Sequence, residues 1–449
     1  MLKEVERIAR DFLEESSKKP VRVISHYDTD GITSAAILVK TLKRLDRKFT
    51  LRIVKGLDEE ILKEELSRNK REVLIFSDLG SGSLDYFSNL EEPIFILDHH
   101  EIDKSKLNDK IKIVNPHLSE DPEANSCTGS GLCYLFAVSI SEQNRDLSKI
   151  AMVGIVGDRH EAELSKVNQS IVNDTHDLTI RKGVVLYPAT RPLKKTLEYS
   201  TSPYIPGVTG NPSGALEILR EARIDAEKSL LDLDEEEMSR LITAIMVRKA
   251  IEGSEENILG NLYVLKFFNR KEDAREISVM INACSRLGRS DVALAYCLED
   301  ERAKSLAFEL YARYKQELIY GLRLAEKVEK ISGDGFVIIN TKDKVRDTII
   351  GTICSMISSS RIYKEGTVLI GMAYRDDKIK VSARIVGREG RNLKEFLEQA
   401  VIDLKEEHPG TYVEIGGHEF AAGCLIEREK ERPFIDALKK NFQIEFVRV

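Results

Sequence analysis

Residues 21–45 read VRVISHYDTDGITSAAILVKTLKRL, and their order decides the fold. The short run VRVIS, rich in β-branched side chains, is a strand signal. A polar stretch, HYDTDG, follows, and GITSAAILVKTLKRL then carries apolar residues at helical spacing. A strand that passes through a short acidic turn into a helix is the first half of a β-α-β unit. The rhythm recurs downstream. LRIVK (51–55) precedes the helical EEILKEELSRNK, and EVLIFS (72–77), PIFIL (93–97) and KIVN (112–115) are further short apolar runs. The expectation is an α/β fold with a mostly parallel sheet, helices on both faces and ligands at the carboxyl ends of the strands.

Beyond residue 128 the pattern reads as helices to about 182. A loop rich in Pro, Gly, Ser and Thr, STSPYIPGVTGNPSG (200–214), is the best internal break. A strongly charged helical region follows from about 215 to 330, with solvated faces such as LDLDEEE (231–237). Strands return from about 334 with GFVIIN, TVLIGMAY and KIKVSARIV. Three parts are expected: an α/β domain over 1–190, a helical connector over 191–330, and a smaller α/β domain over 331–449.

With 449 residues, 42% hydrophobic and 32% charged, the chain has the composition of a globular protein with a large core. No apolar run approaches the length of a membrane span, so no membrane association is expected. MLKEVERIARDFLEE is charged and helix-patterned, unlike a signal peptide. The six cysteines are scattered without a CxxC pair, which favours reduced thiols and a cytoplasmic location. A net charge of −7 argues against a protein that coats duplex DNA, but allows an enzyme with a locally positive cleft.

Acids and histidines concentrate at the predicted strand ends. VRVIS runs into His26, Asp28 and Asp30; EVLIFS into Asp78; PIFIL into Asp98, His99 and His100. Asp158 ends the helical run IAMVGIVGD, with His160 and Glu161 next. Taken singly, DxDG is usually a turn, DHH a helix start and Asp78 an N-cap. Together, three strands deliver these groups to one sheet edge. Several carboxylates there would repel one another unless a cation sat among them. Carboxylates with imidazoles suit Mn²⁺, Mg²⁺ or Zn²⁺. Two such ions about 3.5–4 Å apart can assist in-line displacement at phosphorus. The D-x-D spacing lets Asp28 and Asp30 reach different ions, and Gly31 lets the turn enter the helix tightly.

HYDTDG, FSDLGSG, LDHHE and GIVGD resemble the four motifs of the DHH phosphoesterase superfamily. IGGHEFAAG (415–423) resembles the GGHxxAAG signature of the DHH-associated domain. FSDLGSG, RPLKKTLEYSTSPYIPGVTG (191–210) and the long helical insert are most similar to the archaeal RecJ-like branch, with its GINS-associated nucleases and relatives of a eukaryotic replicative-helicase subunit. The resemblance implies a DHH catalytic domain, an insert and a substrate-binding domain. It implies two divalent ions, Mn²⁺ ahead of Mg²⁺. Asp28 and Asp30 would bind one ion each, Asp78 both, and His99 and Asp158 would complete the second site. His100 would face the scissile phosphate, with Asp98 fixing an imidazole tautomer. His26 is either a ligand or a support of the loop, and His160 a neighbour.

In the second domain, His418 with Gly416 and Gly417 would meet a phosphate, with Arg384 and Arg346 as clamps; Arg346 reads equally as a solvent-facing charge. GREGRNLKEF (387–396) either guides a strand or only turns. TGSG (128–131) opens a helix and either binds phosphate or, the favoured reading, lets helices pack closely. Arg286, near Asn282 and Arg289, is a further candidate contact. The implied activity is exonucleolytic release of mononucleotides from single-stranded nucleic acid, 5′→3′ on DNA first. The alternatives are 3′→5′ or RNA-directed action, an oligonucleotide phosphodiesterase, or a replisome scaffold that binds GINS.

Overall fold

The computed structural model describes residues 1–443 except 89, 121–125, 163, 201–202, 204, 252–257, 360–361 and 388. Part of the Pro/Gly-rich loop at 200–214 and Arg388 of the GREGRN segment thus lie outside the described residues. Two compact units are present, Met1–Tyr311 and Ala312–Val449. No described helix is long and apolar enough to cross a membrane.

The first unit begins with α1 (Leu2–Ser16), β1 (Val21–His26), α2 (Thr29–Arg44), β2 (Phe49–Val54), α3 (Glu59–Leu66), β3 (Val73–Ser77), β4 (Ile94–Leu97) and β5 (Ile111–Val114). The strands form a parallel five-stranded sheet in the order β2-β1-β3-β4-β5. Successive side chains of a strand point to opposite faces. Leu74 and Phe76 therefore pack with Leu62 of α3, Leu84 and Phe87 on one face. Phe95 meets Phe12 of α1 on the other, and Phe12 in turn meets Phe136. Burial on both faces explains why these strands read as continuous apolar runs. Buried Glu65 of α3 accepts two hydrogen bonds from Arg22 of β1, each 2.8 Å, and one of 2.7 Å from Arg52 of β2.

The unit continues with α4 (Gly129–Ile140), α5 (Ser148–Gly157), α6 (Lys166–Asp174), β6 (Thr179–Val184), α7 (Leu193–Glu198), α8 (Pro212–Glu221), α9 (Glu235–Ile251), β7 (Leu259–Phe267), β8 (Arg270–Asp273), α10 (Ala274–Arg286) and α11 (Ser290–Cys297); α12 (Glu301–Lys327) starts in the first unit and ends in the second. Two expectations are corrected here. Residues 128–182 are not helical throughout, and 215–330 is not purely helical. β6, β7 and β8 make an antiparallel three-stranded sheet. β7 is an apolar run from Leu262 to Leu265, and it turns back into β8 at Phe268 and Asn269, whose φ values of +46° and +57° suit a two-residue hairpin.

The second unit carries β9 (Lys330–Gly333), β10 (Phe336–Asn340), α13 (Asp347–Ser359), β11 (Val368–Arg375), β12 (Lys378–Ile385), α14 (Leu393–Glu407), β13 (Val413–His418), β14 (Ala421–Glu427) and α15 (Glu431–Gln443). Its six strands run in the order β13-β14-β12-β11-β10-β9, antiparallel except for β10 with β11. One face buries Ile370, Val381, Ala383 and Ile426 with Phe396 of α14 and Phe434 of α15.

Candidate metal centre

Each acid of the site sits where backbone geometry ends an element. Asp28 caps α2, its Oδ1 accepting from the Gly31 amide at 3.0 Å. Asp30 lies in the first turn of that helix. Asp78 follows β3 with φ +58°, a left-handed conformation uncommon for a side-chain-bearing residue and concentrated at functional sites. Its amide donates to Leu97 O at 2.9 Å. Asp98 follows β4, and its amide donates to Val114 O at 3.2 Å. Asp158 ends α5, whose interior is buried almost throughout.

These elements bring the predicted ligands of the first unit together. His26 Nδ1 lies 3.0 Å from Asp28 Oδ2 and 3.5 Å from Asp78 Oδ2. His99 Nε2 lies 3.2 Å from Asp78 Oδ1 and 3.8 Å from both Asp30 Oδ2 and Asp158 Oδ2. Asp78 is the shared member, its two oxygens reaching two different histidines. Among the described residues, His26–Asp28–Asp78, Asp78–His99–His100 and His99–Asp158–His160 each present ligand atoms within 4.8 Å of one another.

The electrostatics follow from this crowding. Burial, then the neighbouring Asp78 and Asp158 carboxylates, push the Asp30 carboxyl well up. Burial alone would lower His99, but the carboxylates of Asp78, Asp30 and Asp158 outweigh it and raise the imidazole to about 10. Burial opposes the charge of Asp28 too, yet His26 holds that carboxyl below the usual range. The site thus carries an excess of negative potential that draws in positive charge. A divalent cation answers that potential with the imidazoles neutral and ligating.

A cation also answers a hydrogen-bonding deficit. Both carboxylate oxygens of Asp78, a residue 1% exposed, are buried without a hydrogen-bond donor, and so is His26 Nδ1. Orphaned buried polar atoms are rare in folded proteins. Carboxylate oxygens beside imidazole nitrogens are the donor set of Mn²⁺, Mg²⁺ and Zn²⁺ sites. The residues present fit a divalent ion.

Asp98 and His100 stand apart from that pattern. Asp98 Oδ1 lies 2.7 Å from His100 Nδ1, and its Oδ2 accepts from the Ser81 amide at 2.8 Å. Burial works against the Asp98 charge, but the His100 contact holds its carboxyl below the usual range. Asn115, at the end of β5, donates to His100 O at 2.9 Å and to Ser81 Oγ at 2.8 Å. The loop is thereby fixed, and the His100 imidazole stays half exposed.

Two supports escaped the sequence reading. TGSG does more than pack: the Gly129 amide donates to Asp30 Oδ2 at 2.6 Å and the Ser130 amide to Oδ1 at 3.0 Å. The positive end of α4 thus grips the Asp30 carboxylate. A Cβ on Gly129 would lie 2.8 Å from Asp78 Oδ1 and 2.9 Å from Asp30 Oδ2, so glycine is required by close approach. The second is the ion pair between Glu161, just beyond His160, and Arg275 of α10. Helix α10 is tied to α2 by Thr29 Oγ1 donating to Ser278 O at 2.9 Å. Arg286 at its end donates to Asn282 Oδ1 at 3.0 Å, with its guanidinium 6.0 Å from the Tyr27 ring centre.

The remaining candidates lie in the second unit. Sheet register pairs Arg384 of β12 with Ala421 of β14, and Ala421 with His418 of β13, so the three form one row. Arg384 Nε donates to Ser355 Oγ of α13 at 2.9 Å. Gly416 and Gly417 lie on the exposed edge strand; Gly417 has φ +132°. Arg346 precedes α13 and pairs with Glu317 at 2.9 Å. Of the GREGRN segment, Arg391 donates to the carbonyls of Asn441 and Phe442 at 2.8 and 3.1 Å, and Asn392 caps α14.

Comparison with known proteins agrees with this arrangement. Residues 20–157 match the DHH family N-terminal domain, 186–262 the DHH-CID domain and 334–443 the DHHA1 domain. An uncharacterized protein of Methanocaldococcus jannaschii is 30% identical over 97% of this chain and 96% of its own length. A Bacillus subtilis protein, named as a putative SPbeta prophage-derived single-strand DNA-specific exonuclease, is 28% identical over 26% of this chain and 20% of that one. Among solved structures, RecJ of Thermus thermophilus in complex with Mn²⁺ superposes with TM-score 0.61 and 19% identity over 99% of this chain. The chain spans 55% of that RecJ. Cdc45 of Entamoeba histolytica superposes with TM-score 0.67 at 11% identity, over 99% of both chains.

Proposed function

We propose that this chain, which belongs to the DHH family and has the RecJ-like fold, is a metal-dependent exonuclease that releases mononucleotides from single-stranded nucleic acid. Action 5′→3′ on DNA is the first choice. The observation that carries the reading is the shared Asp78, whose two buried oxygens lack a donor yet face His26 and His99. The name of the Bacillus relative supports the substrate class.

Asp28, Asp30, Asp78, His99 and Asp158, with His26 beside them, would hold two divalent ions, Mn²⁺ ahead of Mg²⁺. Bound there, the ions would supply an activated water and neutralise charge at phosphorus. The work of the chain itself is positional. The α4 amides fix the rotamer of Asp30. Asp98 accepts the Nδ1–H of His100 and favours its protonated form, whose Nε2–H would donate to a phosphate oxygen as charge develops on it. In the second unit the Arg384–Ala421–His418 row would grip the nucleic acid backbone, with Gly416 and Gly417 allowing close approach and Arg346 as a further contact; in the first unit Arg286 would be another. The catalytic domain would run over 1–190, the connector over 191–330 and the substrate-binding domain over 331–449. Six buried, unpaired cysteines suit the reducing cytoplasm.

A scaffold role beside GINS in the replicative helicase is the second reading, favoured by the likeness to Cdc45 over the full chain. One experiment separates the two. Single-stranded DNA and RNA, labelled at either end, are incubated with Mn²⁺ and the wild type or Asp78→Ala. Immediate release of labelled mononucleotide from the 5′-labelled strand, absent in Asp78→Ala, is expected. Release first from the 3′ label reverses the polarity. No cleavage of any strand transfers the assignment to the scaffold.

A further inference from the structure

The end of α5 brings a second ligand-type side chain to the metal centre. Asp158 terminates the helix, Arg159 follows at φ +62°, and the His160 amide donates back to Ile155 O at 3.0 Å. This turn places His160 Nε2 3.2 Å from Asp158 Oδ2. His99 Nε2 lies 3.8 Å from the same oxygen, and the two imidazole centroids are 6.3 Å apart at 72°. Ligands about 2.1 Å from a metal ion lie about 3.0–3.5 Å from their nearest neighbours in octahedral or tetrahedral arrangement. The His99–Asp158–His160 donors approach that spacing, all within 4.8 Å of one another. An independent observation points into the same space. Asp78 Oδ1, buried and without a hydrogen bond, lies 3.2 Å from His99 Nε2, the imidazole that belongs to both clusters.

The two halves of the site then differ in chemistry. His26–Asp28–Asp78 offers one imidazole and two carboxylates; His99–Asp158–His160, with Asp78 beside His99, offers two imidazoles and two carboxylates. Imidazole suits d-block ions, whereas carboxylate and water suit Mg²⁺ equally well. We propose that His160 ligates the second ion, and that with His99, Asp158 and Asp78 it makes a two-imidazole subsite that selects Mn²⁺, Co²⁺ or Zn²⁺ over Mg²⁺. This rests on the metal-dependent reading of the site. A purely structural His160 would only hydrogen-bond Asp158.

The test measures binding, not turnover. Mn²⁺ is titrated into the purified full chain and followed by electron paramagnetic resonance, for the wild type, His160→Ala and His160→Gln. Glutamine keeps a hydrogen-bond donor to Asp158 but is a poor ligand. The expected result is two ions on the wild type. Each variant keeps one at unchanged affinity, which also reports a folded protein. The other weakens about 10–100-fold, Mg²⁺ competes about tenfold better for it, and one of two imidazole nitrogen couplings disappears. Wild-type behaviour of His160→Gln, or unchanged affinity in both variants, overturns the assignment of His160 alone. A wild type that binds no Mn²⁺ overturns the metal reading beneath it.

Discussion

Replacing Gly129 by alanine probes the least expected part of the site. The added Cβ would lie 2.8 Å from both Cβ and Oδ1 of Asp78 and 2.9 Å from Asp30 Oδ2, about 0.6 Å inside ordinary van der Waals contact. To relieve it, α4 must withdraw from the aspartates, stretching the amide contacts of 2.6 and 3.0 Å to Asp30. Overpacking costs about 1–3 kcal/mol, and a hydrogen bond to a charged group contributes about 1.5–3 kcal/mol. Losing part of one such bond on top of the clash predicts a stability loss of about 2–4 kcal/mol, read as a lower urea midpoint. Moving two ligands by a fraction of an ångström predicts a cleavage rate roughly 100-fold lower and weaker Mn²⁺ binding. Gly131→Ala is the control on the same helix. Its Cβ would meet Cys127 Sγ at 3.0 Å and Ile171 at 3.3 Å, with no aspartate among its nearest neighbours. It should bind Mn²⁺ like the wild type. A Gly129→Ala variant with wild-type Mn²⁺ affinity and rate refutes the role assigned to α4.

Further predictions follow from other contacts. Asp98→Asn should lower kcat about 10–100-fold with Mn²⁺ affinity unchanged, because it disturbs the His100 tautomer and no ligand; steady-state kinetics beside a metal titration checks this. Glu65→Gln should destabilise the first unit by about 3 kcal/mol by breaking a buried ion pair. Burial opposes the Glu65 charge, but Arg22 and Arg52 prevail and depress its pKa. That stability is present above the ordinary carboxylate value and is lost as pH falls through the folded one, so the acid limb of denaturation should flatten in Glu65→Gln. Gly417→Ala, with its Cβ 2.4 Å from Ala421 O and φ at +132°, should raise KM and leave Mn²⁺ binding intact.

The parallel sheet was legible because most of its strands are short apolar runs ending in a polar group, and the gathering of the acids and histidines followed from those ends. The β6–β8 sheet was not. Its first strand, TIRKGV, has mostly exposed or half-exposed side chains and so lacks a periodic apolar signal. The β13–β14 hairpin hides in the glycine-rich IGGHEFAAG, where small residues carry no alternation. The grip of α4 on Asp30 joins residues 99 and 100 positions apart, beyond the reach of any local pattern. His160 could be noticed as a histidine beside an acid, but only the left-handed Arg159 turns it toward the site.

The most direct measurement is thermal melting of the wild type and Asp78→Asn, each with and without Mn²⁺. An ion that binds only the folded state adds about 2.7 kcal/mol at a hundred times its Kd. The account predicts that Mn²⁺ raises the wild-type Tm and adds little to that of Asp78→Asn. A wild type indifferent to Mn²⁺, or an Asp78→Asn variant raised by Mn²⁺ as much as the wild type, would contradict a metal centre built around Asp78.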